Sequence, residues 1–387
     1  MLHMKRVLVV TGHYLPGYKA GGPIRTLANT IEWLGDEFQF YILTADRDFG
    51  DCQPYPNIEC GTWQRVGKAQ VLYLSPQELG RFAWKRLLRT LRYDLIYLNS
   101  FFSPLTRKTL FLRCTGQIPE KPVVLAPRGQ FSPGALSLKS LKKRLYISLA
   151  KHAGLYSKII WQASSDYEKK DILSIFGSDI IWVAPNLPPR QFDKVTSGQR
   201  PIKQAGSARI IFLSRIARNK NLDEALRFLA NVDGKVQFDI YGPIEDRSYW
   251  QECQTLINRL PANVRVDYRG MVAHEQVLEI FSQYHLFLFP TRGENFGHAV
   301  LESLRAGCPV LISDQAPWRN LEEKKAGWDV PLSEPKRFLA ALNKLISMDN
   351  PTLEQWSQSA REYGKAFAEN PNLVEANRRL FLRALAR

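Results

Sequence analysis

The 387-residue chain carries 53 Lys and Arg against 37 Asp and Glu, a formal charge of +16, with 45% hydrophobic and 23% charged residues. That balance belongs to a folded globular protein and excludes bulk disorder, while the length suits two domains rather than one. No run of about 18 apolar residues occurs, which excludes a membrane-spanning helix, and the charge attracts nucleic acid, anionic lipid or an acidic substrate without choosing among them.

Lys5-Arg6 leads straight into an apolar run at 7–11, too short for a signal-peptide core and without a small-residue cleavage site. It predicts the first strand of a folded domain. The five cysteines are scattered and form no C-x-x-C pair, which points to reduced thiols in the cytoplasm and away from structural zinc. Further apolar runs at 38–44, 71–73, 95–98, 123–126, 159–162 and 180–183 predict buried strands, separated by turns or helix-period segments. Such alternation implies a parallel sheet with helices on both faces. Asn186-Leu187-Pro188-Pro189 then opens a polar stretch without periodicity that lasts to about 207, read as an interdomain linker. The alternation restarts with strands at 210–213, 236–241, 264–268, 286–289 and 310–312 and helices at 221–229, 274–281 and 298–305. Two helices at 353–367 and 373–386, divided by Asn370-Pro371, close the chain.

The expected architecture is two tandem doubly wound α/β domains facing a cleft: 1–190, a linker at 191–207, 208–365, and a C-terminal helix at 366–387. The C-terminal helices are expected to return to the first domain. In such sheets ligands bind beyond the carboxyl ends of the strands.

Three segments after strands carry the chemistry. Pro290-Thr291-Arg292-Gly293-Glu294-Asn295-Phe296-Gly297-His298 follows one strand and enters the helix that holds Glu302. Its glycines permit a tight turn, and the helix N-terminus at His298 favours a phosphate. Glu294 and Glu302 can each accept hydrogen bonds from vicinal hydroxyls, one from a hexose and one from a ribose. A plain ion pair between Glu302 and Arg305 is the competing reading. Ser214-Arg215-Ile216-Ala217-Arg218-Asn219-Lys220 is a basic loop suited to a diphosphate, with Arg215 as a fork and Lys220 as a point charge. Gly21-Gly22 follows the first strand and matches neither a dinucleotide fingerprint nor a P-loop.

On these residues the chain resembles a retaining glycosyltransferase of family 4, with GT-B architecture. Glu294 and Glu302 match its E-x7-E motif, Arg215 and Lys220 its basic pair, and Gly21-Gly22-Pro23 its glycine loop; Ala306-Gly307-Cys308-Pro309-Val310 is also in the family's style. The resemblance implies that Glu294, with Asn295, Phe296 and Gly297, holds the donor sugar, and that Glu302 holds the ribose. It implies that Arg215 and Lys220 stabilise the departing diphosphate. Gly270 and Val272 would meet the base, and Gly242 would line the nucleotide pocket. The expected donor is a UDP-sugar, first UDP-glucose, and the acceptor a glycan or a lipid-linked acceptor; no metal or cofactor is expected. One departure stands out: the family's histidine after the strand at 123–126 is replaced by Pro127-Arg128-Gly129, so Arg128 becomes a candidate contact for a phosphate or an acidic acceptor.

Asp46-Arg47-Asp48 resembles a D-x-D metal motif but lacks its context and reads as a loop. Segments 81–92 and 138–152 read as basic amphipathic helices suited to an anionic membrane surface. Nucleic-acid binding has the charge but no motif to support it. A non-catalytic nucleotide-sugar-binding protein and a GT-B-type epimerase or phosphorylase are the remaining alternatives.

Overall fold

The computed structural model describes residues 4–137, 140–177, 180–190 and 200–387. The chain divides into two compact units, Met1–Gln191 with Asn370–Arg387, and Phe192–Glu369.

The first unit runs β1 (Lys5–Val10), α1 (Gly22–Leu34), β2 (Phe38–Ala45), β3 (Trp63–Val66), β4 (Ala69–Leu74), α2 (Arg81–Thr90) and β5 (Leu95–Asn99). It continues with α3 (Pro104–Cys114), β6 (Val123–Ala126), α4 (Pro133–Ser137), α5 (Ser140–His152), β7 (Ile160–Ala163), α6 (Asp166–Phe176) and β8 (Ile181–Val183). Its sheet has the order β3-β4-β2-β1-β5-β6-β7-β8, parallel except for the antiparallel β3–β4 pair. Side chains alternate across each strand, so β1 divides its apolar residues between two cores. Leu8 and Val10 face Trp84 of α2, Leu110 of α3, Ile147 of α5 and Ile172 of α6. Val7 and Val9 face Leu27 and Ile31 of α1 and, from the far end of the chain, Leu380 and Phe381.

The second unit runs β9 (Ser207–Leu213), α7 (Leu222–Leu229), β10 (Lys235–Tyr241), α8 (Arg247–Ile257), β11 (Val264–Gly270), α9 (Val277–Ser282) and β12 (Leu286–Phe289). After it come α10 (His298–Arg305), β13 (Val310–Ser313), β14 (Gly327–Val330), α11 (Pro335–Ser347) and α12 (Asn350–Ala368). All six strands are parallel in the order β11-β10-β9-β12-β13-β14. The last helix, α13 (Pro371–Leu385), belongs to the first unit, whereas α12 packs on α10 in the second.

Of the two C-terminal helices expected to return to the first domain only α13 does so, because α12 packs on α10 of the second unit, and three further features differ from the sequence reading. The β3–β4 hairpin was not anticipated, because β3 is a half-exposed edge strand whose Trp63-Gln64-Arg65-Val66 lacks a buried run. β14 was hidden because it is short and opens on Gly327, packed where a Cβ would strike the backbone of Val310. Residues 191–199 of the expected linker lie outside the described residues, but 200–206 are part of the second unit. Arg200 donates to Gly307 O, Ser282 O and Ser357 Oγ. The Lys203 ammonium, 2% exposed as a residue, donates to Gln204 O, Ile346 O and Met348 O at 2.9–3.0 Å. Buried cations that serve backbone carbonyls leave no hydrophobic period to read.

Candidate functional site

The strand order of the second unit reverses between β9 and β12. The chain leaves β9 to build β10 and β11 on one side, then returns to start the other side with β12. Loops at that reversal diverge and leave a crevice at the carboxyl ends of the strands. The two loops concerned are 214–221 and 290–297, both singled out by their sequence.

Hydrogen bonds staple these loops together. Asn219 O accepts from Arg292 N at 2.8 Å and from Thr291 Oγ1 at 3.1 Å. The Asn221 amide donates to Pro290 O at 2.8 Å and its Oδ1 accepts from Arg292 Nε at 2.8 Å. Asn221 has φ 63°, a conformation that asparagine tolerates better than most L-residues. The stapling sets the Lys220 ammonium 2.7 Å from Glu294 Oε2, with the two side chains 10% and 21% exposed. The Phe289 ring lies 5.5 Å from the same ammonium. Burial pushes the Glu294 carboxyl up, but the charge and hydrogen bond of Lys220, with smaller contributions from His298 and Arg215, outweigh it. Glu294 is therefore held below the usual glutamate range, ionised and oriented.

Glu294 N donates to Gln315 O at 2.9 Å, and Glu294 Oε1 accepts from Asn295 N at 3.1 Å. Phe296 turns into the core, where Trp318 Nε1 donates to its carbonyl at 2.6 Å and the His298 ring lies 4.7 Å from its own. Gly297, with φ 81°, starts α10; a Cβ there would stand 3.1–3.3 Å from Val300, Trp318 and Glu294. Glu302, one turn into α10, is 7% exposed, and His274 Nδ1 lies 3.7 Å from its Oε1.

Arg215 pairs with Glu245, on the loop after β10. Gly242 in that loop has φ 134°, and a Cβ would collide with the Ser214 carbonyl. Only glycine lets the loops after β9 and β10 lie this close. Gly242 N donates to Gly270 O at 2.8 Å, and Gly242 O accepts from Tyr268 at 2.9 Å, which brings the end of β11 to the same edge. Val272 packs against the core beside it. The structure thus gathers Arg215, Lys220, Gly242, Gly270, Glu294, Asn295, Phe296, Gly297, His298 and Glu302 at the carboxyl edge of one sheet. Sequence reasoning missed Glu245 and His274, for which no local pattern exists. It also missed Asn219 and Asn221, whose N-x-N spacing is the only trace.

Gly21, Gly22 and Arg128 lie in the first unit. Gly21 has φ 72° and ψ −136° at the start of α1, with Gly22 as that helix's first residue. Arg128 has φ 60° and donates to Asn99 Oδ1 (2.6 and 3.1 Å), Asn186 Oδ1 (2.7 Å) and the Tyr97 hydroxyl (2.6 Å). Its guanidinium is committed to neutral partners. Asp48 accepts from the backbone N–H groups of Tyr18, Lys19 and Phe49, and Asp46 pairs with Arg47, so both acids serve the loop. Among the described residues no group of three or more His, Cys, Asp or Glu is arranged to hold a metal.

Residues 196–363 match the family described as Glycosyl transferases group 1. The chain is 27% identical over 157 residues to the UDP-N-acetylglucosamine–peptide N-acetylglucosaminyltransferase GtfA subunit of Streptococcus pneumoniae, 38% of this chain and 28% of that protein. The match therefore spans less than a third of that relative's length. Among solved structures, sucrose-phosphate synthase from Thermosynechococcus elongatus superposes with a TM-score of 0.74 at 15% identity, covering 99% of both chains. Anabaena HepE in complex with UDP-glucose gives 0.70 at 17% identity over 99% of this chain and 100% of its own. The fold of the chain is GT-B.

Proposed function

We propose that the protein transfers a hexose from a nucleotide-diphosphate sugar, first UDP-glucose, to a glycan or lipid-linked acceptor, with retention of anomeric configuration. The pathway we propose is polysaccharide, lipopolysaccharide or glycolipid assembly. The observation that carries the reading is the Lys220–Glu294 pair at the reversal point of a group 1 glycosyltransferase domain. The UDP-glucose bound to the structurally similar HepE supports the choice of donor.

In this reading the acceptor hydroxyl approaches the anomeric carbon from the face the diphosphate leaves, so configuration is retained. Its oxygen bonds to that carbon as the bond to the phosphate oxygen breaks, the electron pair leaves on the diphosphate, and the hydroxyl proton passes to the departing phosphate oxygen. Arg215 and Lys220 face that growing charge and favour the transition state over the bound donor. Glu294, kept ionised by Lys220, accepts from the sugar hydroxyls, and Glu302 from the ribose. Both cations are paired within the protein, Lys220 with Glu294 and Arg215 with Glu245. A diphosphate would join these pairs as a third partner rather than meet bare cations. Two cations at the leaving group are also the reason we propose that transfer needs no metal.

Release of UDP from UDP-glucose, with NMR of the product's anomeric proton, tests the reading, and unchanged rates in EDTA test the metal-free step. Glu294→Ala should abolish release, and Glu302→Ala should mainly raise the donor KM. Full activity in both variants would remove the site assignment. Binding without turnover across the common nucleotide-sugars would favour a non-catalytic protein of the same fold.

A further inference from the structure

The outer helix layer of the first unit has an unusual surface. Helices α2, α3 and α5 pack on one face of the sheet through Trp84, Leu110 and Ile147. They are linked side by side: Trp84 donates to Thr109 at 3.1 Å, Arg81 stacks on Phe111, and Arg107 on Tyr146. Their sequences hold four, three and four Lys and Arg respectively, and no Asp or Glu. Ordinary surface helices intersperse both signs. Thirteen large apolar side chains stand exposed among the described residues, and five are on these helices: Phe82, Phe111, Leu141, Leu145 and Leu149.

Helix α5 shows the pattern most clearly. Ile147 and Ala150 face the core, as an amphipathic helix requires. Leu141, Leu145 and Leu149 recur every four residues, which places them on a second stripe, and they are 83%, 62% and 61% exposed. By helical geometry Lys142 borders that stripe on one side and Arg144 and Lys151 on the other. A leucine row rimmed by cations is costly in water and matches an interface that is apolar inside and anionic at its rim. Leu138 and Lys139, read from sequence as part of this helix, lie outside the described residues.

We propose that α5, flanked by α2 and α3, docks the first unit on an anionic lipid surface, with Leu141, Leu145 and Leu149 entering the acyl boundary and the surrounding Lys and Arg meeting lipid phosphates. Docking of this kind sums apolar burial and charge attraction, so it depends on both lipid charge and salt. It does not depend on the transfer reaction, and its test has a separate readout.

The experiment is co-sedimentation of the full chain with phosphatidylcholine vesicles, with and without about 30% phosphatidylglycerol. Binding to the anionic vesicles alone, released by raising the salt several-fold, is the expected result. The variant with Leu141→Ser, Leu145→Ser and Leu149→Ser should bind at least about tenfold more weakly, because the changed side chains are exposed and leave the core intact. Its thermal shift with UDP should match the unchanged protein, which shows that the fold and the second unit are unaltered. No binding to anionic vesicles, equal binding to neutral ones, or a triple-serine variant that binds unchanged would each overturn the proposal. An acidic protein partner would give the first of these outcomes.

Discussion

At Glu294 two effects oppose each other. Burial favours the neutral acid, and the Lys220 ammonium at 2.7 Å favours the carboxylate; the cation wins. Removing the cation should reverse that balance, because a buried carboxylate without its partner takes up a proton rather than remain charged. We therefore expect Lys220→Ala to lose activity about 100-fold or more, since both the leaving-group stabilisation and the sugar-binding carboxylate of the proposed reaction depend on it. In pH–rate profiles the residual activity should have its acidic limb moved to higher pH. Loss of rate with an unmoved limb would mean that Lys220 serves the diphosphate alone. Gly242 supports the site differently: its φ of 134° and the Ser214 carbonyl leave no room for a Cβ. Gly242→Ala should cost about 1–3 kcal/mol of backbone strain in thermal or urea unfolding. It should also weaken UDP binding in calorimetry by displacing the loop that carries Arg215.

The helices and strands were legible in proportion to how apolar their buried faces are. Helix α10 has the bounds that its sequence suggested, and β12, before the glutamate loop, does too. The segment entering β9 was illegible because it docks through charge. His285, at the start of β12, belongs to the same contact: its Nδ1 accepts from Arg209 N at 3.0 Å and its Nε2 donates to Pro201 O at 3.1 Å. Burial, reinforced by Lys203, Arg200 and Arg209, lowers its pKa from 6.5 to about 4 despite the hydrogen bond to Pro201. Between those values the unfolded chain binds a proton that the folded one does not, so this contribution is intact above about pH 6.5 and lost as pH falls towards 4. The expected loss is about 2 kcal/mol at pH 5 relative to pH 7.5, read from urea midpoints. His285→Gln should be less stable at neutral pH and should lack this component. The stapling of Lys220 to Glu294 was illegible for another reason: the two positions are 74 residues apart, and only the parallel pairing of β9 with β12 makes them neighbours.

Across the whole chain, the last helix completes the first unit although 178 residues of the second unit intervene. Phe381 of α13 is fully buried, its ring 5.6, 6.0 and 5.2 Å from those of Phe38, Phe40 and Tyr97. One turn earlier Asn377 donates to Pro185 O at 2.7 Å and accepts from Gln162 at 3.2 Å. Gln162 accepts from Tyr97 in turn, and the Tyr97 hydroxyl receives Arg128 Nη2. Arg128 thus heads a polar chain that ends on the returning helix. Such a chain is valuable only when every member is satisfied, and the aromatic cluster beside it shields it from water. Phe381→Ala should open that cluster and cost about 3–5 kcal/mol, as large core deletions do. The loss should be local. In hydrogen exchange, amides of β1, β2 and β5 should lose protection while those of β9, β10 and β12 keep theirs, because the rings that Phe381 packs on, Phe38, Phe40 and Tyr97, all belong to the first unit. Equal loss in both units would mean that the chain unfolds as one cooperative body and that α13 stabilises the whole protein rather than the sheet it covers.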